Sequence, residues 1–180
     1  MGAIIVRRKM VARGKRKRAD YLLYWKKSLP IAVVEAKDNT HGVGDGMQQA
    51  LAYAEVLDLP FAFSSNGDGF LFHDRTGNAG RVGVQLGLDE LPSPEELWQR
   101  WRVWKGLDDA QTQLVETPFH EDMSGKEPRY YQRIAISRSV EAISKGQRRL
   151  LLVMATGTGK TYTAFQIIWR LWKAAKVRGC

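Results

Sequence analysis

Cysteine is all but missing from this sequence. The one copy, Cys180, is the last residue, so no internal disulfide can form, and the chain suits a reducing compartment such as the cytoplasm. Long apolar runs are missing too. The longest, "LLLVMA" at residues 150–155, is far too short to cross a bilayer. Basic residues near the N-terminus are followed by no sustained apolar stretch, so no signal peptide is expected. Acidic residues are the third shortage. Nineteen Asp and Glu face 28 Lys and Arg, for a formal net charge of +9 and a pI near 9.8. That surplus favours an anionic partner, and a nucleic-acid backbone is the commonest one. Histidine is scarce and scattered: His41, His73 and His120 lie far apart with no ligand spacing, so no metal is assigned to them.

What is present is ordinary for a globular protein: 44% hydrophobic and 26% charged over 180 residues, enough for one domain or a small one and part of another. The first part reads as extended segments. "AIIVRR" is β-rich, "ARGKRKR" is a basic turn or loop, and "ADYLLYW" and "SLPIAVVEAKD" are further strands. After the glycine-rich "THGVGDG", "MQQALAYAEVLD" has helical spacing, with Met47, Leu51, Ala54 and Val56 or Leu57 near one face. "FAFSSN" and "GFLFHD" are two short strands around an Asn66-Gly67 turn. "LPSPEELWQRWRVWKG" opens as a helix should, with Ser93 as N-cap, Pro94 at the first helical position and Glu95 and Glu96 in the first turn. Trp98, Trp101 and Trp104 form a stripe on it that reads as packing rather than base stacking. Residues 108–127 are polar and without period, the best linker candidate. A helix is expected from Pro128 toward Gly146, and then a buried strand, a glycine-rich loop and a last helix.

That glycine-rich loop is "ATGTGKT", residues 155–161. Glycines let successive backbone N–H groups turn inward on phosphate oxygens, a lysine reaches the β and γ phosphates, and a hydroxyl serves Mg²⁺. Gly157, Thr158, Gly159, Lys160 and Thr161 fill this pattern, and the helix that follows offers its positive end. Met154 stands where the general pattern has its first glycine. "MATGTGKT" resembles motif I of superfamily 2 helicases and translocases. Upstream, "RYYQ" resembles the adenine-reading segment of that superfamily, with Gln132 on the adenine edge and Tyr130 or Tyr131 packed near it. An ATPase of this class also needs a downstream carboxylate. Residues 162–180 hold no Asp or Glu, so ATP binding is expected and hydrolysis by this stretch alone is not.

The stretch "PIAVVEAKD", residues 30–38, raises the other question. Ile31 to Val34 are residues for a buried strand, yet Glu35 and Lys37 follow on one face of it. Phosphodiester cleavage with Mg²⁺ needs carboxylates to hold the metal, and a cation helps to orient water and neutralise charge. If "YLLYW" and the Glu35 strand pair as a hairpin, Asp20, Glu35 and Lys37 converge, with the Ala36 backbone carbonyl as a further metal ligand. Gln49 and Tyr53, at i and i+4 on the next helix, can lean toward the same point.

This arrangement resembles the D…ExK constellation of the PD-(D/E)xK nucleases, with Ala19 in place of the proline of the family's name and a Q-x-x-x-Y segment behind it. Taken with "PSPEELW", "RYYQ" and "MATGTGKT", nearly the whole chain resembles the restriction subunit of type I restriction-modification enzymes. The resemblance implies an α/β fold: a restriction-endonuclease-like core with a mixed sheet at 1–90, a helical connector or linker at 91–127, and the first strand–P-loop–helix unit of a RecA-like domain at 128–180. It implies Asp20 and Glu35 as Mg²⁺ ligands, Lys37 as catalytic, and Gln49 and Tyr53 in support. ATP is the second cofactor, double-stranded DNA the substrate, and methyltransferase and specificity subunits the partners. The chain departs from the family in starting after its usual first helix and stopping just after motif I, so a fragment or truncated frame of a larger protein is expected. A repair or recombination nuclease-helicase, and a non-catalytic DNA- and nucleotide-binding remnant, stay open. Arg13 to Arg18 could contact phosphates or form a solvated loop, and Asp38, Asp45 and Asp74 could substitute for a metal ligand.

Overall fold

The computed structural model of the chain describes residues 3–6, 9–13, 19–77, 83–123, 125 and 127–177. Strands β1 (Ala3–Val6) and β2 (Lys9–Arg13) form an antiparallel pair of their own. β2 takes Ala12 and Arg13 out of the expected basic loop, and residues 14–18 of that cluster lie outside the described residues.

The main sheet has five strands in the order β3-β4-β5-β6-β7. β3 (Tyr21–Lys26) and β4 (Leu29–Ala36) form the expected antiparallel hairpin, with Ser28 at φ 83° turning the chain between them. β4 then pairs in parallel with β5 (Phe61–Ser65), and helix α1 (Met47–Leu57) makes the crossover that a parallel pair requires. β6 (Phe70–Asp74) returns antiparallel around the Asn66-Gly67 turn, and the short edge strand β7 (Val84–Leu86) completes the sheet. The sequence reading gave no strand at β7, whose three residues are too few to show alternation.

Central β4 and β5 are buried on both faces. Alternation along β5 sends Phe61 and Phe63 to one core, with Trp98, Leu97 and Val115, and Ala62 to the other, with Val33, Met47, Ala50 and Ala54 of the α1 side. The stripe that α1 buries is Met47, Ala50, Tyr53 and Ala54; Val56, expected near that face, is 46% exposed. Of the expected stripe Met47 and Ala54 are buried, and the small Ala50 joins them, since alanine lets a helix lie close on a sheet.

Beyond the sheet, a 3-10 turn at Leu88–Glu90 leads to α2 (Pro94–Lys105). Ser93 caps it, its Oγ accepting from Glu96 N–H at 3.1 Å. Two of the three stripe tryptophans pack: Trp98 stacks between Trp25 of the sheet, at 5.4 Å, and Trp101, at 4.8 Å, whereas Trp104 is exposed. The expected linker contains another helix, α3 (Asp109–Glu116). Its start is the reciprocal cap of Asp108 and Gln111, in which each side chain accepts the other's backbone N–H, at 2.7 and 3.0 Å. Helix α4 (Tyr130–Ser144) follows, and α5 (Lys160–Val177) ends the described chain.

The expected strand at 150–155 does not form. These residues are in no regular element, and Leu151 and Val153 are each 88% exposed. A strand of a parallel sheet needs neighbours on its edges and cover on both faces. Among the described residues no strand lies beside this one.

Candidate active site

The end of β4 is where the expected residues meet. Asp20 sits just before β3, and its Oδ2 accepts the backbone N–H of Ala36 at 2.9 Å, so the hairpin register itself brings this carboxylate to the β4 terminus. Glu35 points to the α1 side of the sheet and is 2% exposed. Its Oε1 takes a hydrogen bond from Lys37 Nζ at 3.2 Å. Its Oε2 is buried with no hydrogen-bond partner among the described residues. Burial pushes the Glu35 carboxyl above its ordinary range; the Lys37 ammonium opposes the shift and the Asp20 carboxylate reinforces it.

Lys37 stays on that face because pairing continues one residue past β4, through Lys37 N–H to Ser65 O at 2.8 Å. Its ammonium also donates to Gln49 Oε1 at 3.3 Å, and Gln49 Nε2 donates to the Tyr53 hydroxyl at 3.3 Å. A line of contacts thus runs from the strand end up the first turns of α1, Glu35 to Lys37 to Gln49 to Tyr53, with Asp20 alongside. The i, i+4 spacing on α1 places its two members in series.

The other acidic candidates are engaged elsewhere. Asp38 Oδ1 accepts from the Thr40 hydroxyl, from Thr40 N–H at 3.0 Å and from His41 Nδ1 at 3.0 Å, which hold its carboxyl down at about 2, the Thr40 hydroxyl most of all. Asp45 Oδ2 caps Gly42 N–H at 2.9 Å. Asp74 is buried against Thr76 and Arg100 at the far end of β6. Among the described residues no group of three or more His, Cys, Asp or Glu side chains is gathered to hold a metal.

The second constellation surrounds the start of α5. Gly157 and Gly159 adopt φ of 79° and 82°, the left-handed region that glycine enters freely, and α5 begins at the next residue, Lys160. A Cβ at Gly159 would collide with the Gln132 amide. Thr158 closes the loop on itself, its hydroxyl donating to Ala155 O at 2.6 Å. Lys160 and Thr161 are exposed. Gln132 is 7% exposed and spans the gap between α4 and the loop: its Oε1 accepts Arg129 N–H at 2.9 Å and its Nε2 donates to Thr158 O at 2.8 Å. The Tyr131 hydroxyl donates to the same carbonyl at 3.4 Å.

Two groups of residues escaped the sequence reading. Gly46 and Ser64 pack directly on Glu35, and their one trace is the pair of serines that ends the apolar start of β5, "FAFSS". Gln166 and Arg170 fasten α5 to the connector. Gln166 holds both His120 N–H and His120 O, at 2.8 and 3.0 Å, and the wholly buried Arg170 donates to Thr117 O at 2.7 Å and to Val115 O. Their signal is a polar series at helical spacing, Thr163, Gln166 and Arg170, on the face of α5 that is buried.

Both halves of the chain are of restriction-enzyme type. Residues 5–81 match the family "Type I restriction enzyme R protein N terminus", and residues 125–179 match "Type III restriction enzyme, res subunit". The chain is 56% identical over 174 residues to the EcoAI type I restriction enzyme endonuclease subunit of Escherichia coli, covering 96% of this chain and 22% of that one. It is 28% identical over 198 residues to the EcoKI endonuclease subunit of Escherichia coli strain K12, covering 85% and 16%. A solved fragment of an HsdR subunit of a type I restriction enzyme from Vibrio vulnificus YJ016 superposes with a TM-score of 0.79 at 45% identity, over 97% of this chain and 32% of that one. The chain belongs to the endonuclease (R) subunits of type I restriction enzymes, of which it spans about a fifth of the length of the curated relatives it matches.

Proposed function

We propose that the chain carries the DNA-cleaving centre, and the beginning of the ATP-driven motor, of a type I restriction enzyme. Residues 1–90 are read as a PD-(D/E)xK nuclease unit, 91–127 as its connector and 128–180 as the first part of a superfamily 2 P-loop domain. The single observation that carries the reading is the buried Glu35 Oε2, a carboxylate oxygen with no hydrogen-bond partner among the described residues, beside Asp20 and within reach of Lys37.

A buried carboxylate oxygen left unpaired is costly unless something charged completes it. The donors present are all hard oxygens: Asp20, Glu35 and the Ala36 carbonyl. That set fits Mg²⁺, which takes one or two carboxylates and keeps several waters. When bound, Mg²⁺ supplies Lewis acidity and a water of lowered pKa. The chain's own residues then do the rest. Asp20, held by Ala36 N–H, and Glu35, held by Lys37, fix the two carboxylates against one another. Lys37, steadied by Gln49, keeps an ammonium where negative charge develops on a scissile phosphate of double-stranded DNA. Tyr53 holds Gln49 from behind.

At the second site Gly157, Thr158 and Gly159 supply backbone N–H groups for ATP phosphates, Lys160 the charge, and Thr161 the hydroxyl for the nucleotide's Mg²⁺. Gln132 keeps one N–H and one lone pair beyond its bonds to Arg129 and Thr158, and these suit an adenine edge. A methyltransferase and a specificity subunit complete the assembly, in the cytoplasm. Among the described residues no helix is long and apolar enough to cross a membrane.

The test is the full-length subunit carrying this chain, assembled with both partners on a plasmid bearing an unmethylated site. Asp20→Ala and Lys37→Ala should abolish double-strand cleavage and leave ATP hydrolysis intact, whereas Lys160→Ala should abolish both. Cleavage that survives Asp20→Ala and Lys37→Ala overturns the assignment.

A further inference from the structure

Glu35 is held from behind by a contact between two residues with no charge and no reactive group. Ser64 on β5 lies directly opposite Glu35 in the parallel register and is fully buried. Its Oγ accepts the backbone N–H of Gly46 at 3.1 Å. Gly46 is the N-cap of α1, the helix that carries Gln49 and Tyr53. The approach is so close that a Cβ at position 46 would stand 2.8 Å from Ser64 Oγ, 3.1 Å from Glu35 Cγ and 3.4 Å from Glu35 Cβ.

Glycine is not needed here for its backbone freedom. Gly46 has φ −84° and ψ −9°, a right-handed conformation that any residue adopts. What its position requires is the missing side chain. This separates it from Gly157 and Gly159, where the backbone is the reason. The consequence is geometric. The first turn of α1 can sit against the end of β4 only because residue 46 has no Cβ, and Lys37 can bond Gln49 across the gap only because that turn sits there.

We infer that Gly46 and Ser64 are positioning residues of the β4 site: their contact sets the distance between α1 and the β4 terminus and holds the Glu35 carboxylate at the place where it meets Asp20 and Lys37. The inference rests on the nuclease reading of that site. Supporting residues of this kind alter metal affinity by about 10–100-fold when changed. Gly46→Ala must turn the Ser64 hydroxyl aside and shift either the Glu35 side chain or the start of α1; the first shift moves the carboxylate from its place beside Asp20, and the second parts Gln49 from Lys37.

The measurement is Mn²⁺ binding to the full chain by calorimetry, with thermal unfolding and far-ultraviolet circular dichroism on the same samples. Gly46→Ala should weaken Mn²⁺ binding by about tenfold or more with its helix content unchanged. Ser64→Ala, which adds no bulk and removes the acceptor for Gly46 N–H, should weaken it less. The double variant Gly46→Ala/Ser64→Ala loses the nearer clash but keeps the one with Glu35 Cγ, so it should fall between the two. If Gly46→Ala does not fold, the double variant decides: weakened binding upholds the inference and parental binding overturns it. Glu35→Gln and Asp20→Ala separate the two layers of argument. Should they abolish Mn²⁺ binding while Gly46→Ala binds like the parent, the positioning role is wrong and the site stands. Should both bind like the parent, or the parent itself bind no Mn²⁺, the site is wrong and the inference falls with it.

Discussion

Two apolar runs in this chain, "IAVV" at 31–34 and "LLLV" at 150–153, look alike in sequence and have opposite fates. The first is the centre of the sheet: Ile31, Ala32, Val33 and Val34 are between 0% and 9% exposed, with β3 on one edge and β5 on the other. The second forms no strand, and its four side chains are 41% to 88% exposed. Local β-propensity is the same in kind. What differs is company. A strand is half of a set of ladders, and its apolar side chains count as core only where other elements cover them.

The sharpest way to use that contrast is one substitution made twice. Val33→Asp places an unpaired charge in a fully enclosed position, and the sheet should lose more than about 4 kcal/mol, enough to unfold it. Val153→Asp changes an 88% exposed side chain and should stay within about 0.5 kcal/mol of the parent. Urea denaturation followed by circular dichroism reads both. Comparable losses would mean that residues 150–153 are covered after all.

The second contrast concerns how each region is held. The sheet unit relies on two apolar cores, whereas α5 is fastened to the connector by polar grips. Arg170 is 1% exposed, lies over the Phe119 ring at 5.0 Å and has no hydrogen-bond partner at Nη1 among the described residues. Burial lowers its pKa to about 10, still far above neutrality, so it is a buried cation bonded to two carbonyls. Arg170→Ala strands those carbonyls and should cost about 3 kcal/mol. The loss should be local: faster hydrogen exchange in α5 and residues 115–120, with β4 and β5 unaffected.

Legibility in the sequence follows the same division. The β3–β4 hairpin, α1, the Asn66-Gly67 turn, α2 with its Ser93 cap, and α4 were all readable, because period, turn chemistry and caps are local. So was the gathering of Asp20, Glu35, Lys37, Gln49 and Tyr53, since strand parity and i, i+4 spacing fix directions over short distances. Helix α3 was missed although Asp108 and Gln111 announce it, because its eight residues are too few and too polar for a period to show. The exposed 150–153 run was misread for the opposite reason: a strong local signal whose outcome depends on distant neighbours. Gly46 was invisible, as nothing local marks a glycine kept for what it makes room for, and Ser64 showed only as a polar residue in a buried strand.

The site and the fold around it also pull in different directions. Burial raises the Glu35 pKa, so folding favours the protonated carboxyl. The stability it contributes is present in acid and is lost as pH rises through that raised value. Glu35→Gln keeps a neutral group at every pH. In the absence of metal it should therefore unfold at a higher temperature than the parent above neutral pH, by an amount worth about 1 kcal/mol, with the difference closing as pH falls. Thermal scans at a series of pH values check this. A Gln variant less stable than the parent at high pH would show that Lys37 outweighs the burial.

Asp58 gives the smallest effect and the reverse sign. It ends α1 in the left-handed conformation, φ 57°, and meets Arg138 of α4 through two bonds of 2.8 and 2.9 Å, so that one ion pair joins the sheet unit to the helix before the glycine-rich loop. The Arg138 guanidinium holds the Asp58 carboxyl below its usual range despite partial burial. A depressed carboxylate contributes stability above its unfolded pKa and loses it as pH falls through the folded value, a window below about pH 4. Arg138 is 65% exposed on its side chain, so solvent screens the pair and its contribution is no more than about 1 kcal/mol. Arg138→Met should lower the unfolding temperature slightly at pH 7, and the loss should shrink in high salt and shrink progressively as pH falls below about 4. A loss that neither salt nor falling pH reduces would assign it to the packing of the Arg138 alkyl chain instead of to charge. That outcome would make the joint between the two regions apolar, as the sheet's own cores are.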